Sequence, residues 1–206
     1  MKKACFVAIC LSLGNLAQAI TINAPSSLTG YEVLNGAYAY SWGVPISLAS
    51  GETIDSATIA FSSVTLNVAN SSGTGYLYTD LLNLNTTGVA SYSDGDAAGD
   101  YFTTVVPASK LTSLGTQFFP SINTTNSWNY VLNASQLAAL NAYATNGLVD
   151  IGLDPDCHFS VGGISFTYTT LTSHNQQVPD GASTVLLLGA TLMGLCLAHR
   201  KFAVNR

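Results

Sequence analysis

The chain has 206 residues, a formal net charge of −5 and only 8% charged residues, against roughly 25% in an ordinary soluble domain. Its 22 Ser, 22 Thr and 15 Asn supply polarity without charge, a profile that suits an extracellular β-protein better than a cytosolic enzyme. Between Ile20 and Gln177 one base, Lys110, stands against ten acids, and a body of that sign repels phosphate backbones, which argues against nucleic-acid binding.

Residues 1–19 read as a signal peptide. Lys2 and Lys3 form a positive start, Ala4 to Leu16 are mostly apolar, and Ala17-Gln18-Ala19 is the small-x-small pattern that precedes cleavage. The mature chain is expected to begin at Ile20. Cys5 and Cys10 fall in this segment and Cys196 in a C-terminal apolar run, so only Cys157 remains in the body. One thiol makes no internal disulfide, and the fold must stand on its core.

From Ile20 to Thr170 the periodicity is that of strands. Ala57, Ile59 and Phe61 alternate with polar residues, then Val64, Leu66 and Val68 alternate in the opposite phase. The change at Ser62-Ser63 predicts a bulge or tight bend. Asn70 to Gly75 is a loop, after which Tyr76 to Leu84 return to apolar residues. Trp128, Tyr130 and Leu132 share one face of a further strand. Asn133 to Asn146 carry Leu137, Leu140 and Ala144 at helical spacing, with Asn133 or Ser135 to cap the start and Asn146-Gly147 to stop it. That predicts one short helix across an end of a sandwich. Val149, Ile151 and Leu153 share one strand face, and Ile164, Phe166 and Tyr168 another. The segment Asp154 to Gly163 between them reads as a hairpin-like connection. The expected body, residues 20–170, is an all-β, two-sheet antiparallel sandwich of jelly-roll type. It is flanked by an N-terminal signal helix and a C-terminal transmembrane helix.

Residues 171–177 read as a polar linker. Gly181 to Ala198 are eighteen residues without charge, about 27 Å as a helix and just enough for a bilayer core. His199-Arg200-Lys201 open a basic tail, 199–206, that stops translocation and keeps the body outside. A permanent single-span anchor, a lipid-anchor signal and a tripartite sorting signal all end in an apolar segment of this kind, although lipid-anchor signals lack the basic end.

Val178-Pro179-Asp180-Gly181, a small-residue-rich apolar span and a basic C-terminal cluster resemble the PEP-CTERM bacterial sorting signals, in the variant written VPDSG or VPDGG. The resemblance covers only residues 178–201, and Ala182 stands where that family usually has Gly. It implies that an exosortase of a Gram-negative bacterium processes the chain near Val178 to Ala182. It also implies a protein held transiently in the inner membrane, then delivered to the cell surface or medium, where extracellular polysaccharide is the associated material.

Candidate chemistry is sparse. Asp94, Asp96 and Asp100 in a Gly-rich loop have oxygen ligands for Ca²⁺, but Ala98 and Val105 occupy positions where a calcium loop has donors, so a solvated turn is the preferred reading. Asp154, Asp156 and His158, at i, i+2 and i+4, would share a side of an extended chain and could hold a metal, yet Pro155 bends the segment and a turn needs none. Tyr38, Tyr40 and Trp42 would stack sugar rings if exposed. At strand spacing they read first as core, and Trp128 and Tyr130 carry the same ambiguity. No G-x-S-x-G or H-E-x-x-H pattern is present, and nothing singles out an acid pair for glycoside hydrolysis. The expectation is therefore a non-enzymatic structural or adhesive protein without cofactor or metal. A carbohydrate-binding module is the alternative, and a secreted hydrolase the third choice.

Overall fold

The computed structural model describes residues 19–95 and 99–172. The signal segment through Gln18, Asp96, and everything from Ser173 through the sorting motif, the expected span and Arg200-Lys201 lie outside them.

In chain order the elements are β1 (Ala19–Asn23), β2 (Gly30–Leu34), β3 (Tyr38–Pro45), β4 (Glu52–Val68), β5 (Gly75–Leu82) and β6 (Val89–Ser93). They continue with α1 (Tyr101–Val105), β7 (Leu111–Phe119), β8 (Thr125–Val131), α2 (Ala134–Tyr143), β9 (Leu148–Pro155) and β10 (His158–Thr172). The first sheet runs β1-β10-β4-β8, with β2 pairing a second stretch of β10, and the second runs β6-β3-β9-β5-β7. Strand pairing is antiparallel in both.

Period-2 alternation places the core between the sheets. Ile59, Phe61, Leu66, Phe166 and Tyr168 come from the first sheet, and Trp42, Val44, Leu77, Ile151 and Leu153 from the second, all in one buried cluster. Each such side chain contributes about 1.5–3 kcal/mol over its exposed state. The phase change in β4 is a register shift between Phe61 and Val64 against β8. Ser63 takes φ 50° there, and its N–H is received by Ser127 Oγ at 2.9 Å. The extra residue lets both halves of a 17-residue strand point their apolar side chains inward.

The expected helix is α2. Asn133 caps it in a reciprocal capping box with Gln136, and Gly147, at φ 78°, ends the turn that follows. Leu140 and Tyr143 are buried, and the helix meets β4 of one sheet and β5, β7 and β9 of the other. Sequence periodicity did not predict α1, a five-residue turn capped by Asp100.

One expected connection differs. Asp154 to Gly163 is not a hairpin loop: β9 runs to Pro155, β10 starts at His158, and the two strands belong to different sheets. Only Asp156 and Cys157 bridge them. The buried Cys157 thiol reaches the Thr74 carbonyl at 3.4 Å, and Asp156 is bound to β5 through Tyr76. The chain crosses because Phe159 and Val161 carry another run of buried side chains into the first sheet. At its far end β10 continues through Thr172.

Candidate functional site on the outer face of the second sheet

The strand register lines up outward-facing residues of the second sheet in rows. Tyr92, Ala39, Asp154, Tyr78 and Thr116 form one row across β6, β3, β9, β5 and β7. Ala90, Ser41, Gly152, Asp80 and Ser113 form the next. Gly43, Asp150, Leu82 and Leu111 form a third. The segment around α1 covers part of this face: Phe102, Leu82 and Ala39 make a small second core. A Cβ on Gly152 would lie 3.0 Å from the Phe102 ring, so glycine there lets α1 settle on the sheet.

The carboxylates of this face do two different things. Asp150 is fully buried and fully engaged. Its oxygens accept the N–H groups of Leu84, Asn85 and Thr86 at 2.8–2.9 Å and the Ser41 hydroxyl at 3.2 Å. The side chain thereby fixes the loop after β5, while Gly43 gives that loop room: a Cβ there would stand 1.7 Å from the Thr86 carbonyl oxygen. Asp154 accepts the Tyr101 N–H through Oδ2 at 2.6 Å, and Asp156 accepts the Tyr76 N–H at 3.0 Å.

Asp80 is the other case. Its side chain is 0% exposed, and as an ionised carboxylate neither oxygen has a well-formed donor. Burial first, then the neighbouring Asp100, pushes it up to about 8, with Asp80 donating to Asp100. A protonated Asp80 beside an ionised Asp100 resolves the pair. Asp154, 1% exposed with Oδ1 unbonded, is pushed up to about 7 by burial and then by Asp94, Asp100 and Asp156, against the opposing Tyr101 N–H. Burial also raises Asp100 and Asp156. A carboxylic acid pair of this kind could serve general acid–base chemistry, but Asp80 is 0% exposed.

Beyond the cover the face is partly exposed. Tyr76 and Tyr78 stack with ring centroids 6.3 Å apart, and Phe118, 45% exposed, tilts against Tyr76 at 5.1 Å. Exposed Thr116 lies opposite Tyr78, and partly exposed Asp156 sits at the end of the row of rings.

The residues singled out from sequence are distributed as follows. Trp42 is 3% exposed and Tyr40 half-buried, with the Tyr40 hydroxyl accepting the Asn35 N–H, so both are core; Tyr38 alone reaches the surface. Trp128 and Tyr130 pack on Phe61, the Trp128 and Phe61 rings parallel at 4.6 Å. Asp154 and Asp156 belong to the outer face of the second sheet, whereas His158 opens the first, which separates that trio. Asp94 and Asp100 are near enough to Asp154 for their charges to raise it. Among the described residues no three His, Cys, Asp or Glu side chains converge as a metal-ligand set, and no helix is long and apolar enough to cross a membrane.

Sequence reasoning missed the partly exposed aromatic group. Its signal was Tyr76-Leu77-Tyr78, with Leu77 inward and both tyrosines outward, and Phe118-Phe119, which split between the two faces. No known family model matches the chain, and no curated protein is similar to it.

Proposed function

We propose that this is an exported cell-surface or extracellular-matrix protein with a structural or adhesive role and no catalysis. In this reading the body is a jelly roll delivered by the signal peptide. An exosortase-type enzyme then processes it near Val178 to Ala182, after transient anchoring through residues 181–198 and Arg200-Lys201. The observation that supports a structural body is the outer face of the first sheet. Hydroxyl pairs Thr21–Thr167, Ser56–Thr169 and Thr65–Thr125 stand on it at 2.7–2.9 Å, polar groups that carry no charge. Such hydroxyl pairs keep the surface hydrated without adding to electrostatic self-repulsion. The test is an Asp180→Ala variant followed through cell fractions. Accumulation of full-length chain in the inner membrane supports the reading; unchanged delivery to the surface and medium contradicts it.

A carbohydrate-binding module is the second reading. The rings of Phe118, 45% exposed, and of the partly exposed Tyr76 and Tyr78 favour it, since accessible aromatic groups beside polar acceptors suit sugar rings. The third, a secreted hydrolase, is weakened by the burial of Asp80. Turnover in a broad glycan and ester screen would restore it.

A further inference from the structure

We infer that Tyr76, Tyr78 and Phe118 form a stacking shelf for a neutral pyranose of a polysaccharide, with Asp156 and Thr116 receiving and orienting its hydroxyl groups. This deepens the carbohydrate-binding reading and falls with it. Three features carry the assignment.

The first is contiguity. Phe118 is 45% exposed, and Tyr76 and Tyr78 beside it are partly exposed. Here three rings adjoin at 5.1 and 6.3 Å across neighbouring strands. Ring faces carry the negative lobe of the aromatic quadrupole and attract polarised C–H bonds, which the flat face of a pyranose presents.

The second is rigidity. Tyr76 and Tyr78 stand on β5, which pairs on both sides, with β9 and β7. The Tyr76 N–H is additionally held by Asp156. A preformed shelf loses little side-chain entropy on binding.

The third is charge. Asp156, Asp154 and Asp100 act on the Tyr78 hydroxyl, and the body's single base, Lys110, lies just before β7, whose opposite end carries Phe118. Carboxylates accept hydrogen bonds from hydroxyl groups but repel uronate or sulfate. That selects a neutral glycan over an anionic one.

The test is affinity electrophoresis of the full chain in a non-sugar detergent, in gels containing neutral glucan, mannan or galactan, or anionic polyuronate. Retardation by at least one neutral polymer and by no polyuronate is expected. Phe118→Ala and Tyr76→Ala should each weaken it about tenfold. Phe118→Trp should retain it, and Tyr31→Ala should leave it unchanged. Thermal unfolding of each variant separates loss of binding from loss of fold. Retardation by polyuronate alone overturns the inference. Retardation by a neutral polymer that Phe118→Ala and Tyr76→Ala leave intact also overturns it, while keeping the carbohydrate reading at another place. No retardation in any gel overturns both.

Discussion

Asp80 on β5 and Asp100 at the head of α1 bring two carboxyl groups together, and Asp80 keeps the proton. The arrangement ties the covering segment to the sheet without an ion pair. Asp100 can therefore cap α1 through Phe102 N–H while receiving the Asp80 proton.

That pair dictates a direction for stability against pH. An unfolded Asp titrates near 3.8, whereas Asp80 holds its proton up to about 8 and Asp154 to about 7 in the fold. Between those limits the folded state binds more protons than the unfolded state, so stability falls as pH rises. Urea unfolding midpoints should be highest near the ordinary carboxylate range and decline through neutral pH, a loss of the order of a few kcal/mol. Asp80→Asn, which keeps a donor toward Asp100 and does not ionise, should flatten the decline and raise the midpoint on the alkaline side. A midpoint that climbs with pH would refute the shared proton.

Asp150 presents the opposite chemistry on β9. Three backbone donors and a hydroxyl converge on it. Asp150→Ala leaves those buried donors unsatisfied and should destabilise the body by about 3–5 kcal/mol. Hydrogen exchange should show Leu84, Asn85 and Thr86 losing protection first. Equal protection in both proteins would mean that the loop is held by other contacts.

Trp42 and Phe118 make a matched contrast. Both are aromatic residues in the second sheet, one sealed in the core and the other 45% exposed. Trp42→Ala should cost about 3–5 kcal/mol, whereas Phe118→Ala should shift stability by about 1 kcal/mol or less. Trp42→Ala is therefore a probe of folding rather than of ligand binding. Chemical denaturation of the two variants decides it, and a larger loss at Phe118 would place the shelf inside the structure.

The sandwich was legible in this sequence because half-buried strands write their inward face in alternate letters. Ile164, Phe166 and Tyr168 turned out buried, with Ser165, Thr167 and Thr169 outward. The bulge at Ser62-Ser63 and the Asn133 cap were legible for the same reason: each is a local rule with a local residue. The crossing at Asp156-Cys157 was not, because a loop between two strands looks alike whether they pair or separate. The buried carboxylates were equally hidden. Asp80 follows Thr79 in an ordinary strand, and burial, together with its juxtaposition with Asp100 and Asp154, turns it into a proton store. The aromatic shelf needed the β5–β7 register, which joins residues some forty positions apart.

The central claim, an exported body cut free of its C-terminal tail, is tested most directly by the intact mass of the protein recovered from the native cell surface and medium. A chain that begins at Ile20 and ends between Val178 and Ala182 is expected, with any added mass marking what is attached there. A chain that continues to Arg206 would contradict it and make the tail a permanent anchor.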